Sequence, residues 1–144
     1  MTTDVPATAA ALGLEPHPEG GWYRRTWTSE VTVETPRGTR PTATAIHYLL
    51  VEGQSSRWHV VASDELWLWH GPGTLVVSLG GSGETPDEDH ATEVRLGPDA
   101  AAGDVAQCLV RAGVWQSARL IGTDEVLVTC VVSPGFDFAD WRAL

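Results

Sequence analysis

The chain has 144 residues, 42% of them hydrophobic and 19% charged, which suits a single globular domain spanning 1–144 and leaves little room for a second. Its formal net charge of −10 opposes binding to a nucleic-acid backbone, which calls for a basic face, and to an anionic membrane surface. All nine basic residues are arginines, so chemistry that needs a side-chain amine, such as a Schiff base, is excluded. One short helix is expected first, capped by Asp4, with Pro6 in its first turn, Ala7 to Leu12 favouring it and Gly13 ending it in the left-handed conformation. A Pro- and Gly-rich run, LEPHPEGGWYRRTW, then leads into strands.

Alternating, β-branched runs predict strands over 27–34, 43–50, 57–61, 65–70, 74–79, 92–96, 106–110, 115–120 and 125–132. Turn signals separate them, among them Pro36-Arg37-Gly38, Gly71-Pro72-Gly73, Ala112-Gly113 and Gly122-Thr123-Asp124. About nine short strands with close turns mean a sandwich or barrel. The polar, acidic stretch 80–90 reads as a mobile hairpin loop without the ligand spacing of a calcium site. Cys108 and Cys130 sit in apolar runs without CxxC spacing and read as buried thiols of a reducing compartment. The N-terminal run has no basic segment followed by an apolar one, and no window is long enough to span a membrane, so a cytoplasmic protein is expected.

Two stretches carry the chemistry. In the run from Gly53 to Gly71, His59 precedes Glu65 by six residues across a short turn, which places them on adjacent strands. If His59 points inward, so do Arg57 and Val61; if Glu65 does, so do Trp67 and Trp69. An inner face holding an imidazole, a carboxylate and indoles resembles a pocket more than an apolar core. In the second stretch a turn at Ala112-Gly113 precedes Trp115 and Gln116. Indoles suit stacking against a flat ring or the apolar face of a sugar.

The two stretches resemble the two cupin motifs, in which two His, a Glu and a later His bind one divalent metal inside a barrel. His59 takes the first His position and Glu65 the Glu position, whereas Val61 replaces the second His and Gln116 the later one. The runs LGLEPHPEGGWYRRTW, AIHYLL, SSRWHVVASDELWLWHGPG, AGVWQSA and VSPGFDF are more specific still, and by them the chain is identified as a member of the Cupin-5 family, long listed as being of unknown function. Arg25 and Arg111 depart from the family pattern, standing where an acidic residue and a proline are usual.

The resemblance implies an all-β fold, a cupin double-stranded β-helix or jelly-roll barrel with a short N-terminal helix, and a homodimer. It makes His17, Glu19, Tyr23 and Arg24 pocket candidates. Combined with the residues, it leads to a small-molecule-binding protein, an isomerase, epimerase or lyase acting on a small, polar, sugar-like metabolite. His59, Glu65 and Tyr23 are the catalytic candidates. Gln116, Arg57, Trp67, Trp69, Trp115, Glu19 and Arg24 are the ligand-binding candidates. No cofactor is required on this reading, because a neutral amide is a weak ligand for a transition metal. The alternatives are a non-catalytic binder or sensor, and a divalent-metal enzyme using His59, Glu65 and Gln116 with help from His47 or His70.

Overall fold

The structure, a computed structural model, describes residues 4–144. Helix α1 (Ala7–Leu12) ends at Gly13, whose φ of 68° is left-handed as expected. Its N-cap is Pro6 rather than Asp4, and no side chain caps it. The stability of so short a helix comes from packing: Ala9 and Leu14 bury against Trp22 and Leu49 on the outside of the sheet.

Eleven strands follow: β1 (Glu15–Pro16), β2 (Trp22–Thr28), β3 (Thr32–Thr35), β4 (Gly38–Pro41), β5 (Thr44–Leu50), β6 (Ser55–Val61), β7 (Asp64–Leu79), β8 (Thr92–Leu96), β9 (Gln107–Val110), β10 (Gln116–Ser133) and β11 (Trp141–Ala143). The run expected as one strand over 27–34 is interrupted. The Ser29 hydroxyl accepts a hydrogen bond from the Val31 amide at 3.2 Å, a local bond that turns the chain out of the sheet. Residues beyond it form a separate β3–β4 hairpin.

The larger difference concerns 71–73 and 122–124, where turns were expected. Neither reverses the chain. β7 runs on for 16 residues and β10 for 18. The two strands pair antiparallel from Ser133↔Asp64 to Gln116↔Leu79, with a bulge between Ile121 and Val126. At that bulge the pair bends from one layer into another. One half joins β5, β2 and β9, and the other joins β6, β8 and, through β6, β11. The bend needs a residue without a side chain, since a Cβ on Gly73 would lie 2.2 Å from the Asp124 carbonyl oxygen. Glycine and proline thus marked a corner inside each strand. The result is an all-β jelly-roll barrel whose core takes alternate residues from both layers: Tyr48, Trp67, Leu75, Val77, Val110, Val128 and Cys130.

Stretch 80–90 is also held more firmly than expected. The Trp58 indole donates to Glu88 and the Trp115 indole to the Gly83 carbonyl, each at 2.9 Å. Both cysteines are buried and unpaired with each other. No helix among the described residues is long and apolar enough to cross a membrane.

The β3–β4 hairpin is fastened to the C-terminal segment by charge. Arg40 makes two hydrogen bonds to the Asp140 carboxylate, at 2.8 and 3.0 Å, and Arg37 adds a third at 3.1 Å. These guanidinium contacts hold the Asp140 carboxyl below its usual range. Replacing Asp140 by alanine leaves both guanidiniums without their carboxylate, so Asp140→Ala is expected to lower the urea unfolding midpoint at neutral pH, and Asp140→Asn to lower it less.

Candidate functional site

Between β2, β5, β7 and β10 on one side and β6 and β11 on the other lies a cavity of about 250 Å³. Its walls follow from strand alternation. Thr44, Ile46 and Tyr48 come from β5, His59 and Val61 from β6, Glu65 and Trp67 from β7, and Cys130 and Val132 from β10. The turn between β1 and β2 adds His17 and Glu19, and the C-terminal segment adds Phe136, Phe138 and Trp141.

His59 is 2% exposed and its Nδ1 lies 2.7 Å from the Arg57 carbonyl oxygen. A carbonyl only accepts, so Nδ1 carries the ring hydrogen and Nε2 is the nitrogen left for the cavity. Glu19 Oε2 stands 3.3 Å from the same Nδ1, so a carboxyl backs the imidazole. Burial pulls the His59 pKa down, although the nearby Glu65 and the Arg57 carbonyl act the other way.

Glu19 is itself held on all sides. Oε1 accepts from the Ser56 hydroxyl at 3.0 Å and Oε2 from the Trp141 indole at 3.2 Å. Its backbone amide donates to His17 Nδ1 at 3.1 Å. The tight turn that presents it depends on Gly20, at φ 108°, where a Cβ would stand 2.2 Å from the Ser55 carbonyl oxygen. Tyr48 donates its hydroxyl hydrogen to the Gly20 carbonyl. Burial pushes the Glu19 pKa up to about 7, and burial followed by the His59 charge pulls His17 down to about 4.

Glu65 lies opposite. Gln116 donates from Nε2 to Glu65 Oε1 at 2.8 Å and accepts at Oε1 from the Trp67 indole at 2.9 Å. Burial pushes the Glu65 pKa up to about 7; His59 opposes this and Glu19 adds to it. Burial first, then the neighbouring Glu65 and Glu19 carboxyls, raise the Cys130 thiol pKa well above the usual range.

The structure brings His59, Glu65, Glu19, Tyr23, Trp67 and His17 to one cavity. Other residues singled out in the sequence stand elsewhere. Gln116 is buried behind Glu65 with both amide atoms engaged, and so acts as its support. Arg57 is exposed on the outer face of β6 and donates to the Pro18 carbonyl at 2.9 Å. Trp69 donates to the Gly73 carbonyl at the strand corner, and Trp115 packs under Arg142 while fastening the 80–90 loop. Arg24 borders the cavity but pairs across the strands with His47, on the face that carries α1. His47 and His70 flank Thr129 on that outer face, and Arg111 lies away from the cavity.

Tyr48, Cys130, Phe136, Phe138 and Trp141 line the cavity but were not among the site candidates. Alternation in ATAIHYLL and VTCVV put Tyr48 and Cys130 within reach of sequence reasoning. Trp141 lies in a three-residue strand with no periodicity to read.

At the four cupin motif positions the side chains do not fit the usual metal-ligand set. Val61 offers no ligand at the second His position, and Gln116 has spent both polar atoms at the third. His59 Nδ1 faces a carbonyl and a carboxyl. Of the four motif positions only His59 Nε2 and the Glu65 carboxyl, drawn toward its neutral form by burial, remain, a poor set for a divalent ion.

A sheet that curls on itself around such a cavity, sharing two long bent strands between its layers, is a cupin barrel. Residues 7–144 match the Cupin-5 pattern, described as Cupin superfamily (DUF985), and the chain belongs to that family. A hypothetical protein from Leishmania major has the same fold with a TM-score of 0.84 and 29% identity, over 94% of this chain and 84% of that one. A Shewanella oneidensis protein matches with a TM-score of 0.84 and 33% identity, over 99% and 85%. The structure of CapF with the inhibitor 3-isopropenyl-tropolone matches with a TM-score of 0.64 at 14% identity, over 91% of this chain and 33% of that one, a likeness of fold alone. No curated protein matches the sequence.

The raised carboxyl pKa of Glu65 makes a sign-specific prediction. A carboxyl whose folded pKa lies above its unfolded one favours folding when protonated, so its contribution falls as pH rises from about 4.5 to about 7. His17, with a lowered pKa, acts in the opposite sense over part of that range, so the difference between variants is the useful quantity. Relative to the parent, Glu65→Gln is expected to gain on the order of 2–3 kcal/mol between pH 4.5 and pH 8 in urea unfolding.

Proposed function

We propose that this chain is a metal-independent acid–base catalyst, an isomerase, epimerase or lyase working on a small molecule in the barrel cavity. The observation that carries the reading is the arrangement around His59. Its Nδ1 is tied to a carbonyl and backed by Glu19, its Nε2 is left for a ligand, and burial keeps the ring neutral. Glu65, with a pKa near 7, still carries a proton much of the time and donates it as a hydrogen bond.

On this reading His59 Nε2 removes a proton from a carbon next to a carbonyl. The electron pair moves onto the carbonyl oxygen, and protonated Glu65 stabilises the developing oxyanion. The imidazolium returns its proton to the neighbouring carbon on the same face, a second donor protonates the opposite face, or the electron pair on oxygen collapses back to expel a leaving group from the β-carbon. Gln116, a ligand-binding candidate in the sequence, instead aims Glu65. Tyr23, edge-on to His17 at 4.4 Å, is a second proton donor. The chain acts in the cytoplasm without a cofactor.

Two independent measurements test this. Native mass spectrometry with elemental analysis, on protein purified without a metal column, is expected to show no stoichiometric metal; one metal per chain overturns the reading. Any co-purified organic molecule is then incubated with the protein in D₂O. The parent is expected to incorporate deuterium, and His59→Ala to be slower by about 10²–10⁴-fold. The rate should fall as pH rises through about 7, and that limb should be lost in Glu65→Gln. Retention of the molecule without deuterium uptake supports a non-catalytic binder instead.

We also propose a homodimer. From Arg24 onward β2 has no strand on its outer side, and Trp27 is 51% exposed beside it. Trp27→Glu is expected to halve the mass seen by light scattering.

A further inference from the structure

We infer that the cavity takes a small aromatic ring bearing a carboxylate, with the ring held between the aromatic walls and the carboxylate on Arg25. This rests on the cavity being the ligand site and departs from a sugar-like substrate.

The size comes first. An apolar cavity of about 150 Å³ is enough to admit benzene. One of about 250 Å³ holds a single ring with a short substituent. The walls are flat and apolar over most of their extent. Tyr48 and Trp67 meet edge to face at 6.0 Å, and Phe136, Phe138 and Trp141 form a ladder of edge-to-face contacts at 4.9 and 5.4 Å.

The polar accounting then argues against a sugar. Most polar groups around the cavity already have protein partners. The Glu19 oxygens are taken by Ser56 and Trp141, the Gln116 amide by Glu65 and Trp67, and the Tyr48 hydroxyl by the Gly20 carbonyl. Thr44 Oγ1 accepts from the Phe136 amide. This leaves His59 Nε2, the Glu65 carboxyl, His17 Nε2 and the Tyr23 hydroxyl. A sugar hydroxyl buried without a partner loses its hydration and gains nothing in return, and a hexose presents more hydroxyls than this lining can satisfy. A ring with one polar function at the Glu65–His59 end matches it.

The charge comes from the mouth. Arg25 pairs across the strands with Ile46, which lines the cavity, so it shares the inward face of β2. Its Nη2 donates to the Phe136 carbonyl at 2.9 Å, which fixes the guanidinium at the rim and leaves its other N–H groups unengaged. Among the described residues Arg37, Arg40, Arg95 and Arg119 are paired with carboxylates, whereas Arg25, like Arg24, Arg57, Arg111 and Arg142, is not. Glu15 also borders the cavity, but outside ion-pair distance of Arg25. The inner end, where two carboxyls already crowd one imidazole, disfavours a third anion. A carboxylate on the ligand therefore belongs at the rim, on the guanidinium of Arg25, since Arg24 also borders the cavity but lies opposite His47 on the other face of the strand.

The test is isothermal titration of the full chain with benzoate, phenol and glucose. Benzoate is expected to bind at least ten-fold more tightly than either phenol or glucose. Arg25→Glu should weaken benzoate at least ten-fold and leave phenol within two-fold, and Arg25→Lys should fall between. The phenol arm separates loss of the charge contact from loss of the Phe136 anchor, since a disturbed wall weakens both ligands. Glucose binding as tightly as benzoate, an unchanged benzoate affinity in Arg25→Glu, or no binding of any probe at millimolar concentration overturns the inference. Because binding rather than turnover is read, this result stands apart from the deuterium exchange of His59→Ala: an inert His59 leaves the benzoate result intact, and a failed benzoate result leaves the exchange intact.

Discussion

The pairing of β7 with β10 is the constraint on which the rest hangs. Both strands belong to two layers at once, and their shared corner at Gly73 opposite Asp124 sets how the layers diverge. Above that corner β7 delivers Glu65 and Trp67, and β10 delivers Cys130 and Val132, to one wall of the cavity. Below it β10 starts at Gln116, paired with both His59 on β6 and Leu79 on β7. One ladder thus brings the imidazole, the carboxyl and the amide that orients the carboxyl to one place, though they lie far apart along the chain.

The class of the fold was legible because it rests on strand alternation and on motif residues that survive from the metal-binding cupins. His59 and Glu65 could be placed on adjacent inward-facing positions for the same reason. What misled was the meaning of glycine and proline. A Gly-Pro-Gly run at 71–73 has the same local chemistry whether the chain reverses or bends. The difference is decided by a partner strand fifty residues later that bulges at the same height. Side-chain roles were less visible still. Gln116 has the composition of a ligand-binding amide, but only the structure shows both ends of it occupied. Arg24 and Arg25 differ by a single step of the pleat, and a strand's facing cannot be settled at its irregular first residues. Trp141 and the Asp140 clasp depend on contacts with residues about a hundred positions away.

The electrostatics follow from dryness more than from opposite charges. Glu19, Glu65 and His59 are each buried, and in each case loss of water is the largest influence on the proton. Carboxyls move up and imidazoles down, so the two kinds of group converge on neutrality. A cluster whose carboxyls are drawn toward the neutral form and whose imidazole is kept from charging lowers the cost of burying net charge.

Cys130 shows another side of this environment. It borders the cavity, where a ligand or a small oxidant can reach it, yet burial and two neighbouring carboxyls suppress its thiolate. Alkylating reagents and peroxides act on the thiolate, so this sulfur is chemically quiet despite its position. A thiol can therefore line this cavity while its nucleophilic form is held back by the same dryness that raises the carboxyls around it.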